Sequence, residues 1–221
     1  MSPQPIGASR WTFPDAQEWD PTDDVVCIGA DLEPETIISA YMQGMFPMHI
    51  NQNQSALGWW SPIDRGIIEL NNLRVTRSMR QSSRKMTTTF NRAFRDVMIE
   101  CSYVHQKGNW ITEDLIEAYC LLHGMGWAHS VEVWDQGDKL IGGLYGIRIA
   151  GLFAGESMFH RQRDASKVAL MALIGAMQMA DMTLLDTQWK TEHLESLGAS
   201  EIPRQEYLRR LQLAIATSKM G

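Results

Sequence analysis

The sequence predicts a mixed α/β protein in which one mixed sheet is flanked by helices. Three observations lead there. Residues 129–158 alternate in three strand-like stretches joined by turn chemistry, which is an antiparallel meander. The meander is followed by helix-like, strand-like, helix-like and strand-like segments and a terminal helix. Residues 62–66 form the one candidate linker, and neither an internal repeat nor a low-complexity tract interrupts the 221 residues.

In chain order, residues 1–33 are rich in Pro, Asp and Trp, with a short strand at 25–28. Residues 34–43 read as a helix: Pro34 suits the first turn, Ile37, Ile38 and Tyr41 form an apolar stripe, and Gly44 suits the position after the cap. Phe46-Pro47-Met48 ends that helix, and 49–57 is polar and loop-like. Trp59 and Trp60 in the following loop suit either a local core or a stacking wall for a base. Apolar positions across 66–75 suggest a strand, and Thr76 or Ser78 could cap the next helix. Residues 87–90 read as a strand and 91–101 as a helix with Phe94, Val97, Met98 and Cys101 inward. After a loop at 108–112, Thr112 caps an amphipathic helix running to about Gly124. The meander strands are 129–134, 139–149 and 152–158. Then come a nearly uncharged helix at 165–180, a strand at 184–189, a helix at 191–197, a short strand at 201–202 and a helix from 205 through 213.

Composition narrows the function classes. Hydrophobic residues make up 44% of the chain, enough for a sizeable core. The three cysteines are far apart and form no CxxC pair, which argues against a disulfide framework or a zinc ribbon and fits a reducing compartment. The start of the chain has no basic region followed by an apolar stretch, so no signal peptide is expected. The longest uncharged apolar segment, 168–180, is too short to cross a bilayer. The net charge of −6 hides a segregated block: residues 71–95 hold seven Arg or Lys and no Asp or Glu. On an acidic protein such a block suits an anion-binding patch. Arg77, Arg80 and Arg84, at i, i+3 and i+7, share one helix face.

The most informative stretch is 184–189. In an extended strand, i and i+2 face one way, so Asp186 and Gln188 would stand side by side with Thr187 and Trp189 opposite. An ionised Asp in an apolar strand must be paired or used. On position alone it is either a hydrogen-bonded strand-end carboxylate or a functional group.

Several stretches, in order from about residue 13 to 211, resemble the leucyl/phenylalanyl-tRNA–protein transferases. They include Gly44-Met45-Phe46-Pro47, Gly58-Trp59-Trp60-Ser61-Pro62, Arg77-Ser78-Met79-Arg80, Trp110-Ile111-Thr112, Gly142-Gly143-Leu144-Tyr145-Gly146, Gly155-Glu156-Ser157-Met158-Phe159, Ala165-Ser166-Lys167, Asp186-Thr187-Gln188 and Ser196-Leu197-Gly198. One such motif is weak; the ordered set is specific. The resemblance implies a small N-terminal α/β domain, 1–63, followed by a Gcn5-related N-acetyltransferase-like catalytic domain, 64–221. It implies transfer of Leu, also Phe and Met, from aminoacyl-tRNA to proteins with N-terminal Arg or Lys. The product would carry a destabilising N-terminus that marks it for degradation in the cytoplasm.

The resemblance also implies site roles. Asp186 and Gln188 are the catalytic pair, and Glu156 meets the acceptor's cation. Leu144, Phe153, Leu170, Leu173, Met177 and Leu185 form the donor side-chain pocket, although the family pattern has Met at 144 and Phe at 173 and 177. Trp110 and Met48 bind the terminal adenosine; Met48 stands where the pattern has Trp, with His49 beside it. Arg77, Arg80, Arg84 and Lys85 are candidates for the acceptor-stem phosphates.

An aminoacyl ester is already activated, so no cofactor, metal or membrane partner is expected. The sequence has no GxxxxGK[ST] loop, HExxH or Cys/His ligand cluster. The chemistry is attack of an α-amine on the ester carbonyl, with Gln188 orienting the amine and Asp186 acting on the Gln188 amide. An acetyl-CoA-dependent N-acetyltransferase is the alternative enzyme class. Its usual [QR]-x-x-G-x-[GA] loop would fall at 162–167, where only Gln162 fits. A non-catalytic RNA-binding module is the third reading, which would leave Asp186 and Gln188 without a purpose.

Overall fold

The computed structural model describes residues 3–50, 56–104 and 110–216. A small antiparallel sheet comes first, built from β1 (Val25–Ile28), β2 (Phe46–His49) and β3 (Leu57–Trp60) in the order β1-β3-β2. Helix α1 (Pro34–Met42) lies between β1 and β2, with Pro34 in its first turn and Gly44 at φ +89° just past its end. The sequence reading misses β2 and treats the tandem tryptophans of β3 as loop. Pro47 is tolerated in β2 because that strand is at the sheet edge. Trp59 belongs to the core: it is fully buried, packs edge-on against Phe13 at 4.9 Å, and donates from Nε1 to the Gly29 carbonyl at 2.8 Å. The expected loop at 49–57 narrows accordingly, and its residues 51–55 lie outside the described ones, as do 108 and 109 of the loop before α4.

The second sheet has seven strands: β4 (Asp64–Ile68), β5 (Thr87–Phe90), β6 (Ala128–Trp134), β7 (Leu140–Ile149), β8 (Leu152–His160), β9 (Leu184–Gln188) and β10 (Ser200–Pro203). Their order is β10-β4-β9-β8-β7-β6-β5. Strands β6 to β8 are the expected meander, with β5 paired to β6 at its edge; β8 and β9 are parallel, and the remaining pairs are antiparallel. The sheet is therefore mixed and helix-flanked, as the sequence predicts. β4 ends at Ile68, so most of the strand expected at 66–75 is irregular chain. The helix expected from 91 begins later, as α3 (Phe94–Val104), because Asn91 takes a left-handed turn at φ +60°.

Alternation along the strands sorts side chains into two cores, one on each face. On one face α3, α4 (Glu113–Gly124) and α7 (Arg204–Ala216), the last following the short α6 (Glu192–Ser196), pack with α1 and the small sheet in a cluster that holds Trp59, Phe94, Tyr119, Tyr145 and Leu211. On the other, α5 (Ala165–Met179) and α2 (Arg77–Ser83) cover Val131, Leu144, Phe153 and Leu185. Burying one such Leu or Phe contributes about 1.5–3 kcal/mol before entropy is counted. Thr76 caps α2 by accepting from Met79 N at 3.2 Å. Thr112 sits at the cap of α4, yet its hydroxyl donates to Asp114 instead of accepting from the backbone.

Candidate functional site

The site forms where two parallel strands part. β8 and β9 pair through Leu152–Leu184, Phe153–Leu185 and Ala154–Asp186, and the pairing stops there. Beyond it, residues 155–158 of β8 and residues 187–189 at the end of β9 line a cavity of about 400 Å³. Gln188 has φ +63°, an uncommon left-handed conformation for a side chain with a Cβ. A register shift between Gly66 and Ile67 of β4 faces this point. A Cβ on Gly66 would lie 2.8 Å from Thr187 Oγ1 and 2.9 Å from both Lys190 N and Trp189 C. The bulge and the missing side chain together let the chain turn at Gln188.

This turn corrects the side-by-side expectation for Asp186 and Gln188. Gln188 lines the cavity, whereas Asp186 is fully buried behind it. The Asp186 carboxylate accepts from Arg65 Nε at 2.8 Å and Nη2 at 2.6 Å, and from Tyr207 Oη at 2.8 Å. Its Oδ1 also accepts from the Gln188 backbone N–H at 2.9 Å, so it fixes the main chain of Gln188 and leaves the side-chain amide alone. Arg65, itself fully buried, also donates to the Gly44 carbonyl at 3.1 Å and stacks on Tyr207 and Phe46. Burial works against the Arg65 charge, and the adjacent Asp186 outweighs it and holds the guanidinium protonated. Sequence reasoning missed Arg65. The available signal was an arginine alternating into the apolar Gly66-Ile67-Ile68 strand, which needs a buried anion.

The Gln188 amide points at Glu156 instead: Nε2 donates to Glu156 Oε1 at 2.9 Å. Tyr41 donates to the same oxygen at 2.6 Å, and Tyr119, 2.6 Å from Tyr41, reaches Oε2 at 3.4 Å. Oε2 is thus the less occupied oxygen. Glu156 is only 8% exposed and pairs with no cation within salt-bridge distance among the described residues. Burial pushes its carboxyl up to about 7, against the opposing donors Tyr41 and Gln188. Burial likewise holds Tyr41 and Tyr119 as neutral phenols. Neither tyrosine was singled out in the sequence, because tyrosines on amphipathic helices read as core.

Of the expected donor pocket, Leu144, Leu170, Leu173 and Leu185 line the cavity. Phe153 and Met177 do not. Phe153 sits opposite Leu185, where β8 and β9 are still paired, and Met177 lies one helical turn beyond Leu173, so both are core beneath the cavity floor. Trp110 and Met48 line the cavity, as do Phe46 and Trp189. His49 does not line it and instead lies 3.3 Å from Asp114. The stacking role open to the tryptophan pair in β3 is not met by Trp59, which is core.

Arg77, Arg80, Arg84 and Lys85 are exposed, and none has a carboxylate within salt-bridge distance among the described residues. The basic block is smaller than its sequence suggests. Arg92 pairs with Asp138 at 2.8 Å, and Arg95 with Glu113 and Glu117 at 2.7 and 2.6 Å. Among the described residues no three His, Cys, Asp or Glu converge as a metal site, and no helix is long and apolar enough to cross a membrane.

Comparison with known proteins gives a consistent picture. The family model described as leucyl/phenylalanyl-tRNA protein transferase matches residues 67–212, and that of its N-terminal domain matches 30–63. The leucyl/phenylalanyl-tRNA–protein transferase of Tolumonas auensis is 44% identical over 191 residues, covering 85% of this chain and 80% of the relative. That of Alcanivorax borkumensis is 45% identical over 194 residues, 86% and 79%. That of Sulfurimonas denitrificans is 44% identical over 206 residues, 90% and 87%. Among solved structures, an acetyltransferase of the GNAT family from Staphylococcus aureus Mu50 superposes with a TM-score of 0.34 at 17% identity, over 44% of this chain and 68% of that one. L-PGS from Bacillus licheniformis superposes with a TM-score of 0.39 at 11% identity, over 59% and 48%.

Proposed function

The chain belongs to the leucyl/phenylalanyl-tRNA–protein transferase family, and on that premise we propose that it moves Leu, and also Phe and Met, from aminoacyl-tRNA to an N-terminal Arg or Lys of an acceptor protein. One observation carries this reading: a cavity lined by Leu144, Leu170, Leu173 and Leu185 that also presents Gln188 and Glu156, joined at 2.9 Å.

The donor side chain occupies the apolar end, between Leu144, Leu170, Leu173 and Leu185. The terminal adenosine lies against Trp110 and Met48. The acceptor's α-amine attacks the ester carbonyl. The C–N bond forms, the ester C–O bond breaks, and the ribose oxygen leaves with a proton given up by the amine. The ester is activated already, so the step needs neither ATP nor a redox group. Gln188 Nε2 is committed to Glu156, which leaves its carbonyl oxygen to accept from the amine and orient it. Asp186 is a positioning residue: it holds the Gln188 backbone and is itself held by Arg65 and Tyr207. Glu156, through Oε2, meets the acceptor's guanidinium or ammonium. Arg77, Arg80, Arg84 and Lys85 take acceptor-stem phosphates. The division at residues 63 and 64 and a degradation-marking product in the cytoplasm complete the reading.

The direct test is Gln188→Ala assayed with aminoacyl-tRNA. The reading expects kcat to fall about 10²-fold or more, with the fold intact by circular dichroism. A wild-type kcat would overturn the role of Gln188.

A further inference from the structure

The Ala165-Ser166-Lys167 motif takes no part in the chemistry above, and it borders a second cavity of about 790 Å³. We propose that this second cavity, lined by Thr76, Arg161, Arg163, Ser166, Lys167 and His193, binds a backbone phosphate of the donor RNA's single-stranded 3′ end, just before the terminal nucleotide. The proposal rests on the aminoacyl-tRNA reading of the first cavity.

His193 lines both cavities, so a chain that ends in the first has the second as its adjacent compartment. The lining carries three cations, Arg161, Arg163 and Lys167, against one carboxylate, Asp164. Arg163 and Lys167 share one carboxylate, Asp164, at 3.9 and 3.5 Å. Asp164 is already satisfied, accepting from Ser78 at 2.6 Å and Ser82 at 3.1 Å. Its task is therefore to pin α2 to the start of α5, and two cations for one occupied anion leave a surplus positive charge. Arg161 is tied to Glu100 at 2.6 Å and contributes less.

Ser166 is 2% exposed and lines the cavity, and a serine hydroxyl can donate to a phosphate oxygen. Burial, with Lys167 and His160 nearby, lowers the His193 pKa, so at neutral pH the partition between the cavities is an uncharged ring. Ser78 and Ser82, which hold Asp164, belong to α2, the helix that also carries Arg77 and Arg80, neither of which has a carboxylate within salt-bridge distance among the described residues.

The test compares three donors with the full chain: leucyl-tRNA, leucyl-cytidylyl-adenosine with one phosphodiester, and leucyl-adenosine with none. Arg163→Gln/Lys167→Gln should lose about tenfold or more in kcat/KM with the first two donors, while leucyl-adenosine stays within twofold. Ser166→Ala, which keeps the partners of Asp164, should show the same pattern more weakly. The slope of log kcat/KM against log salt for leucyl-tRNA should become shallower by about one in the double variant. Equal losses with all three donors, no loss with either phosphodiester donor, or an unchanged salt slope would each overturn the phosphate site. Inactivity of the unaltered chain with all three donors would instead overturn the aminoacyl-tRNA reading beneath it.

Discussion

Replacing Glu156 with Gln separates what this side chain does for function from what it does to stability. The carboxyl is buried and its pKa is raised from 4.5 to about 7. Ionising it inside the fold therefore costs on the order of 3 kcal/mol more than ionising it in the unfolded chain. Because the folded-state value is the higher one, the group's contribution to stability is complete below about pH 4.5 and is lost as pH rises through about 7. Glu156→Gln keeps the shape and stays neutral, so it removes that loss. Urea unfolding between pH 5 and 8 should show the variant gaining on the wild type as pH rises, by up to roughly 3 kcal/mol. Activity should move the opposite way. Only the ionised carboxylate meets a guanidinium, so wild-type use of Arg-starting acceptors should rise with pH through about 7. In Glu156→Gln it should be low, with that step gone. Parallel pH–stability curves for the two proteins would refute the burial argument. Undiminished use of Arg-starting peptides would refute the recognition argument.

Three further outcomes are expected. Arg65→Met strands the buried Asp186 carboxylate and should destabilise the fold by about 3–5 kcal/mol in urea titrations; adding Asp186→Leu should recover stability without restoring transfer, and a cost below 1 kcal/mol for Arg65→Met alone would contradict the assigned pairing. Gly66→Ala introduces a Cβ within 2.9 Å of the turn that carries Gln188, so it should lower stability by about 1–3 kcal/mol and reduce kcat. Leu173→Phe narrows the leucine-lined end of the cavity and should shift donor preference away from Phe toward Leu by about 10-fold or more in relative kcat/KM; an unchanged ratio would place the donor side chain elsewhere.

Much of the second sheet was legible because its strands alternate, and alternation survives folding as two sorted faces: Leu144 and Tyr145 go to opposite cores. The small sheet was less so. Pro47 and the paired Trp59 and Trp60 read as breaks, since an edge position for proline is decided by neighbours far along the chain. Glu156, Gln188, Trp110 and four of the six leucine-pocket positions line the cavity. The internal wiring was out of reach. That Asp186 pairs with Arg65, 121 residues away, and fixes a backbone N–H depends on the β4 register shift, which no local pattern encodes. Phe153 and Met177 entered the expected pocket through the family resemblance, and nothing in an apolar residue's own sequence separates a cavity wall from the core in which both are found. Arg92 and Arg95 looked available for anions until the acidic residues opposite them were known.

In the proposed reaction this cavity joins an activated aminoacyl ester to a protein N-terminus. The most direct measurement is transfer of labelled leucine from leucyl-tRNA to a peptide beginning with Arg, using the purified chain without ATP or CoA. A labelled peptide is expected, and no product when the peptide's α-amine is acetylated. Absence of labelled peptide under these conditions, or a requirement for CoA, would contradict the proposed reaction.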